Sequence, residues 1–216
     1  MLINPTGEPE AWEPRPQGLN FKFPRLHTHR LMLKQPLDED RDFLTKLFSD
    51  PEVMRYIWHG HLTSDQAARY ADTIIGLTQF SINHGWWVVS RHEDGKRLGL
   101  ACLGKYRNRP SNHPWGDDLQ IDYQFARSEW GQGYATEALN RVLVYAFGWL
   151  YRKELPLVLA WTRTDNLPSQ KLLIRLAFNR FGTCRDEAKI PNPCYLYELT
   201  RERWLGLPNS RSPSLP

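Results

Sequence analysis

The sequence contains few cysteines and no long apolar run, and each shortage excludes a class of protein. Its three cysteines, Cys102, Cys184 and Cys194, are odd in number and lack the close spacing of a zinc or redox site. The longest apolar segments, such as residues 155–161, are far shorter than the ~20 residues of a membrane helix. No apolar stretch opens the chain as a signal peptide would. We therefore expect reduced thiols, no membrane partner and a cytoplasmic location.

A long block of Lys and Arg is also absent, although the chain is slightly basic. Its 28 Lys and Arg residues and 24 Asp and Glu residues give a formal net charge of +4. A protein that binds a nucleic-acid backbone usually concentrates its basic residues on one stretch or face. Nucleic acid is therefore not the expected partner, and the charge suits a small polyanionic ligand. With 41% hydrophobic and 24% charged residues, the composition is otherwise that of an ordinary globular protein.

Proline-rich segments are predicted to flank a single domain. Residues 1–24 contain five prolines and few aliphatic residues, so they neither continue a helix nor pair as a central strand. We predict an extended N-terminal arm whose aromatic residues could hold it to the domain or to a partner chain, which leaves a homodimer open. Residues 25–206 are predicted to form the domain, and residues 207–216 a flexible tail.

The domain alternates between the hydrophobic periods of strands and helices. The clearest strand begins at Leu119, where apolar and polar residues alternate as far as Ala126. Other strands are predicted over 29–34, 86–90, 98–103 and 157–161, with a final hairpin over 181–199. Helices are predicted after Asp38-Glu39-Asp40, from Pro51, after the capping box at Thr63, over 133–150 and from near Asn166. This order predicts an α/β fold, one domain with a mixed sheet.

Two glycines lie in the turn between the clearest strand and the long helix. Gly131 and Gly133 let an anion approach the backbone where the first amides of a helix are unpaired and the helix dipole is positive. A tight turn without a ligand is the alternative interpretation. A dinucleotide-binding loop does not fit, because Thr136 replaces the third glycine and no acidic residue ends a second strand about 20 residues later. A Walker loop does not fit either, because no Gly-Lys-Ser/Thr occurs.

At this point the sequence resembles the GNAT acetyltransferases, most closely their RimJ/RimL-like branch of ribosomal-protein alanine acetyltransferases. The resemblance covers about residues 26–205. It rests on Arg30-Leu31-Met32-Leu33, on Trp130-Gly131-Gln132-Gly133-Tyr134-Ala135-Thr136-Glu137-Ala138-Leu139, on Asp165-Asn166-Leu167-Pro168-Ser169, on Leu176-Ala177-Phe178 and on Arg203-Trp204. It implies a GNAT fold with a centrally splayed mixed sheet flanked by helices. It also implies acetyl-CoA as cosubstrate, bound through its pyrophosphate to backbone amides of the loop, namely those of Gly131, Gln132, Gly133, Tyr134 and Ala135.

The resemblance also implies contacts near the thioester. Acetyl transfer would occur where the strand at 119–127 splays from the strand at 157–161. The strand residues that would bind the thioester end of the cosubstrate are Tyr123, Gln124 and Phe125. Asn166 resembles a cofactor-contacting Asn, and Ser169 could protonate or hydrogen-bond the thiolate, although helix capping alone would explain both residues.

Two positions depart from the family pattern. Ser128 stands where the loop usually begins with Gln or Arg, which matters little for binding through backbone amides. Leu173 stands where the family frequently has a Tyr acid, which leaves the proton donor open.

Transfer to an amine needs a neutral amine and a proton for the leaving thiolate. Asp122 is the candidate base, because burial beside an apolar gap would raise its pKa. Gln120 and Gln124 share its strand face, although all three could simply be the solvated face of a sheet. Many relatives have a Glu on this strand, and the aligned position here is Gln120, which cannot act as a base.

The loop between the two early helices is the candidate acceptor site. Its residues Trp58, His59 and His61 could order an amine or a carboxylate, although a plain surface loop is an equal alternative. His27 and His29 could share one strand face, but no third ligand lies nearby, so no metal is expected.

The sequence therefore predicts a GNAT-fold N-acetyltransferase. It would move an acetyl group directly from acetyl-CoA to a primary amine, either a protein or peptide N-terminal α-amine or a small amine. The missing Tyr and the modest base favour an α-amine over a Lys side chain. The alternatives are a non-catalytic acyl-CoA-binding sensor or assembly module and, third, an RNA-binding module.

Overall fold

The computed structural model describes the domain in six segments, which are residues 24–57, 60–79, 85–105, 119–150, 155–186 and 190–207. The predicted arm, except Pro24, and the predicted tail, except Leu207, lie outside the described residues. So do Trp58, His59 and residues 106–117 of the basic loop. The limits predicted for the arm, the domain and the tail therefore stay predictions.

Within these segments, eight strands form one mixed sheet in the order β1-β2-β3-β4-β5-β6-β8-β7. Neighbouring strands are antiparallel, except that β5 and β6 are parallel. The strands are β1 (Leu26–His27), β2 (Leu31–Lys34), β3 (Gly85–Arg91), β4 (Arg97–Lys105), β5 (Leu119–Phe125), β6 (Leu157–Arg163), β7 (Asn179–Asp186) and β8 (Ile190–Thr200). The predicted α/β fold with a mixed sheet is confirmed.

Six α-helices accompany the strands in the described part of the chain. They are α1 (Arg41–Ser49), α2 (Pro51–Met54), α3 (Ser64–Gln79), α4 (Tyr134–Tyr145), α5 (Leu167–Arg175) and α6 (Arg201–Leu205). The helix predicted over 133–150 is α4 followed by a π-helical turn at Ala146–Leu150. None of these helices combines the length and the hydropathy that crossing a membrane requires.

Local sequence signals explain where several of these elements begin. Asp50 accepts hydrogen bonds from the first-turn amides of Glu52 and Val53, and Pro51 opens α2 with the fixed φ that suits a first helical position. The capping box forms at Thr63 and Gln66, each side chain bonding the other's backbone amide. Gly95 has φ +69° in the turn between β3 and β4.

The sheet separates two hydrophobic cores. One core packs α4 and α5 on one face and contains β5 residues such as Ile121 and Phe125. The other packs α1, α2 and α3 on the opposite face against β3 and β4 residues such as Trp86 and Leu100. Because successive strand residues point to opposite faces, β5 presents Tyr123 toward α4 and α5 and Asp122 toward the α1–α3 layer.

The centre of the sheet is open because β5 and β6 pair only briefly. Both strands have seven residues, yet only Leu119 with Val158 and Gln120 with Leu159 are partners. Beyond Gln120 the two strands diverge, while β5 stays paired with β4 through Phe125. This gap is where the sequence analysis expects acetyl transfer to occur.

Candidate active site

A cavity of about 450 Å³ occupies the gap between β5 and β6. Its wall combines five parts of the fold, each contributing a short run of residues. They are Glu52, Val53, Tyr56 and Ile57 around α2; Ile121–Phe125 on β5; Gly131 and Gly133–Thr136 at the loop and α4; Ala160–Thr162 on β6; and Asn166, Ser169 and Leu173 around α5. The cavity therefore connects the two faces of the sheet.

The glycine loop forms an open cradle at one end of the cavity. Gly131 has φ +77° and Gly133 has φ +81°, a region that favours glycine. No heavy atom lies within 4 Å of the position that a Gly131 Cβ would occupy, so a ligand can reach the backbone there. Gly133 is the N-cap of α4 and no side chain caps the helix, which leaves its first amides for a ligand.

An ion-pair network fastens this loop to the edge of the sheet. Glu137, in the first turn of α4, accepts hydrogen bonds from Thr28 Oγ1 at 2.5 Å and from the Arg30 amide at 3.0 Å and Nε at 2.7 Å. Arg30 also donates from Nη1 to the Gln132 carbonyl at 3.1 Å, and its guanidinium lies over the Tyr134 ring. The cradle is therefore held in shape, and Arg30 adds positive charge beside it.

Asp122 stands on the wall of the cavity, on the same strand face as Gln120 and Gln124. Burial raises the pKa of its carboxyl above the ordinary value, and the hydrogen bond from Gln120 Nε2 to Asp122 Oδ2, at 2.6 Å, acts in the opposite direction. The charge of Asp122 also contributes to the raised pKa values of Tyr70 on α3 and Cys102 on β4, although burial is the main cause there. A carboxylate with a raised pKa is a better proton acceptor than an ordinary one.

Among the residues that the structure describes, no hydrogen-bond donor reaches two glutamine oxygens near Asp122. The Oε1 atoms of Gln120 and Gln124 are buried and unpartnered, and the two residues are only 5% and 7% exposed. A buried acceptor without a donor costs about 1–3 kcal/mol. Of the two, Gln124 lines the cavity and Gln120 does not. This face of β5 therefore suits a ligand that donates hydrogen bonds, such as an amine.

The pairing of β5 decides which of its amides face the gap. The Ala126 amide donates to the Leu98 carbonyl, on the β4 side, and a Cβ on Gly99 would lie 2.5 Å from the Gln124 carbonyl oxygen. Backbone directions alternate along a strand, so the Gln124 amide also faces β4. The amides of Tyr123 and Phe125 face the diverging side. The backbone amides directed into the gap are therefore those of Tyr123 and Phe125, whereas the Gln124 amide faces β4.

On the opposite side of the cavity, a hydrogen bond joins β5 to α5. The Tyr123 hydroxyl donates to Ser169 Oγ at 2.7 Å. Asn166 is the N-cap of α5, and its Oδ1 accepts a hydrogen bond from the Ser169 amide at 3.2 Å. Capping thus accounts for Asn166, whereas Ser169 Oγ accepts the hydrogen bond from Tyr123. Leu173 is buried, 1% exposed, and contributes no polar atom to this wall.

The structure describes only part of the loop that is predicted to bind the acceptor. His61 is exposed and is not among the residues lining the cavity, and Trp58 and His59 lie outside the described residues. Residues immediately before that loop line the cavity, namely Glu52 and Val53 on α2 and Tyr56 and Ile57 after it. The sequence marks these residues as wall residues only by their position, which lies between the capped start of α2 at Asp50 and the predicted loop.

No group of three metal-ligating side chains occurs in the described segments. His27 is not part of such a group in these segments. Its ring stacks on His92 instead, with 5.5 Å between ring centroids.

A cradle for an anion, a carboxylate with a raised pKa and a gap between diverging strands would suit an enzyme that transfers a group from a large anionic donor. The model of the GNAT acetyltransferase domain matches residues 30–179, and the chain belongs to this family. It is therefore an acetyltransferase, and its cosubstrate is acetyl-CoA, as in the family. The glycine cradle, with uncapped amides at α4 and Arg30 beside it, fits the pyrophosphate of that molecule.

Relatives of known name agree with this assignment. The chain is 30% identical over 189 residues to the uncharacterized N-acetyltransferase YoaA of Bacillus subtilis, covering 84% of this chain and 99% of that protein. It is also 30% identical over 192 residues to FsC-acetyl coenzyme A-N(2)-transacetylase of Aspergillus fumigatus, covering 85% and 79%. A GNAT acetyltransferase structure from Bacillus anthracis shares the fold, with a TM-score of 0.67 at 20% identity over 82% of this chain and 99% of that chain.

Proposed function

We propose that the protein transfers the acetyl group of acetyl-CoA directly to a neutral primary amine held beside Asp122. One observation carries the proposal: a single cavity brings the Asp122 carboxyl and the Ser169 hydroxyl to opposite sides of the gap between β5 and β6. The glycine cradle opens into the same cavity. Donor and acceptor can therefore meet without a covalent enzyme intermediate.

Asp122 is the general base in this proposal. An ammonium group cannot attack a thioester, so the amine must lose a proton before or during attack. The buried carboxyl of Asp122, with its raised pKa, takes that proton directly or through one water. The unpartnered Oε1 atom of Gln124 on the same strand face accepts a second N–H and orients the amine.

The thioester side supplies electrostatic stabilisation. The amides of Tyr123 and Phe125 donate to the carbonyl oxygen as negative charge develops on it, which is the arrangement of an oxyanion hole. When the C–S bond breaks, Ser169 donates a hydrogen bond and then a proton to the sulfur. The amides of Gly131–Ala135 hold the pyrophosphate and thereby fix the thioester in the gap.

The favoured acceptor is an α-amine of a peptide, a protein or an amino-acid-like compound. A free α-amine has a pKa near 7.7–8.0 and a Lys ε-amine near 10.4, so at pH 7.5 roughly a third of the former but about one in a thousand of the latter is neutral. Leu173 provides no polar donor on α5, where the family frequently has a Tyr acid, and a single carboxyl is a modest base. Both features favour an amine that loses its proton easily.

A matched pair of peptides tests the acceptor class. One peptide has a blocked N-terminus and a free Lys, and the other has a free N-terminus and no Lys. The free N-terminus should be acetylated at least ten times faster, and kcat/KM should level off near pH 8, where α-amines become neutral. Faster acetylation of the blocked peptide, or a rate still rising through pH 9, would overturn the α-amine assignment.

A cytoplasmic location and a domain spanning 25–206 remain part of the proposal. Cys102 is a buried free thiol, which supports a reducing compartment.

A further inference from the structure

We propose that Tyr123 is a positioning residue for the leaving thiolate: its phenol holds the Ser169 hydroxyl and replaces the proton that Ser169 gives to sulfur. This inference rests on the acetyl transfer proposed above. It concerns a side chain whose strand position suggests only packing, since the neighbouring Ile121 and Phe125 on the same face belong to the core.

Geometry supports a donor chain from Tyr123 to Ser169. The phenol donates to Ser169 Oγ at 2.7 Å, and both residues line the cavity. Because the phenolic proton occupies one lone pair of Oγ, the Ser169 proton is free to point into the cavity. Asn166 fixes the other side of this residue by accepting a hydrogen bond from the Ser169 amide. The serine is therefore held by its backbone and by its hydroxyl.

The chemistry explains why a serine needs this partner. An isolated alcohol is a poor proton donor, because an alkoxide is left behind. A hydroxyl that already accepts a hydrogen bond is a stronger donor, because chains of hydrogen bonds polarise one another. Burial raises the pKa of Tyr123 to about 12, so the phenol stays protonated at neutral pH and is available as the donor.

The step balances as follows. The amine nitrogen forms a bond to the thioester carbon, the C–S bond breaks, and the sulfur keeps the electron pair. Sulfur takes the Ser169 proton while Ser169 takes the Tyr123 proton, and the phenolate is reprotonated from solvent. The proton lost by the amine goes to Asp122, on the other face of β5. No oxidant or further reactant is needed.

Tyr123→Phe tests the proposal because it removes only the hydroxyl and keeps the packed ring. We expect kcat to fall about 10- to 100-fold while the KM for acetyl-CoA stays within about twofold, since acid–base groups contribute factors of this size. Tyr195→Phe is the matched control. Tyr195 packs at the edge of the core and does not line the cavity, so this variant should keep the parent kcat.

Two further readouts separate a relay from a loss of packing. In the double variant Tyr123→Phe with Ser169→Ala, the loss of kcat should equal that of Ser169→Ala alone, because both changes interrupt one chain. The acidic limb of the pH profile, which reports Asp122, should stay in place. Additive losses, or a displaced acidic limb, would mean that Tyr123 only supports the strand.

Should Tyr123→Phe fail to fold, a fluorinated tyrosine at position 123 keeps the ring and the hydroxyl. It makes the phenol more acidic, so kcat should fall at high pH as the phenol ionises, with a basic limb at lower pH than in the parent. An unchanged profile would overturn the proposal. The activity of the parent enzyme tests the proposed function separately. If the parent releases no CoA when an amine is added, the proposed function is contradicted. If the parent releases CoA and Tyr123→Phe leaves the rate unchanged, only the role of Tyr123 is contradicted.

Discussion

The two faces of β5 perform opposite tasks although they alternate within seven residues. The face toward α1–α3 carries Asp122 and two glutamines, and in the proposed mechanism it accepts a proton and N–H groups. The face toward α4 and α5 carries Tyr123, whose phenol donates toward Ser169. Proton acceptors and proton donors are thus separated by the thickness of one strand.

This comparison shows how a sheet can keep a base from a neighbouring acid. If Asp122 and Tyr123 shared a face, the phenol could donate to the carboxylate and neutralise the base. The alternation of side chains prevents that contact. The divergence of β5 from β6 then gives both faces access to one cavity.

Removing the charge on the acceptor face should have the largest effect. Asp122→Asn keeps the shape and the acceptor oxygen for Gln120, but it cannot take a proton. We expect kcat to fall about 10²- to 10⁴-fold with acetyl-CoA affinity retained. Steady-state kinetics with a free-amine peptide and a CoA titration measure both. Asp72→Asn, on the surface, is the matched control; equal activity of the Asp122 variant and the parent would remove Asp122 from the mechanism.

A change in the glycine cradle should affect only the donor side. At ~100 times Kd, acetyl-CoA should stabilise the parent by about 2.7 kcal/mol and raise Tm by roughly 5–10 °C. Gly131→Glu should abolish this increase, because its carboxylate repels the pyrophosphate. Gly131→Ala adds the same backbone strain without charge and should keep most of the increase, since space is open there. Thermal melting of the parent and of both variants, with and without acetyl-CoA, measures these increases. An unchanged Tm of the parent in acetyl-CoA would contradict this binding site.

The smallest expected effect concerns the stability of the fold. Asp122→Asn, which should lower kcat, should raise this stability. Burial raises the folded-state pKa of Asp122, so the folded chain holds that proton more tightly than the unfolded chain. Parent stability therefore falls as pH rises from about 3.8 through the raised pKa. Asp122→Asn escapes this loss, so its Tm at pH 7 should exceed that of the parent, by roughly 2–4 °C for each kcal/mol of stability that is regained. The advantage should vanish near pH 3.

Asp72→Asn gives the contrasting case for that measurement. The Arg41 hydrogen bond at 2.6 Å lowers the pKa of Asp72, so its stabilisation is present above its ordinary pKa and is lost as pH falls. This exposed pair should lose at most about 1 kcal/mol when it is broken. A Tm gain in both variants would show that charge removal in general, rather than burial of Asp122, is the cause.

Local patterns in the sequence predict most of the fold and about half of the site. The period of two at Leu119–Phe125 predicts β5 and the shared face of Asp122 and the glutamines. The two glycines before α4 predict the cradle, because only a few residue types adopt their backbone conformation. These features depend on neighbours in the chain, which a sequence displays directly.

The remaining parts depend on pairing between distant segments. The direction of the Gln124 amide follows from the register of β5 on β4, and the contact of Tyr123 with Ser169 spans 46 residues. The wall around Tyr56 forms because α2 lies over the gap. No local pattern encodes these distances, so the sequence alone leaves open which hydroxyl and which amides serve the thioester.

The brief pairing of β5 with β6 also bears on how the chain folds. Two residue pairs join the half-sheet β1–β5 to the half-sheet β6–β8, whereas the hairpins β3–β4 and β7–β8 are local in sequence. Local contacts form early in folding, and contacts that close long loops form late. We expect the two halves to form first and their junction last. Because the junction is also the proposed site of transfer, progressive destabilisation should abolish acetylation while both half-sheets are still folded.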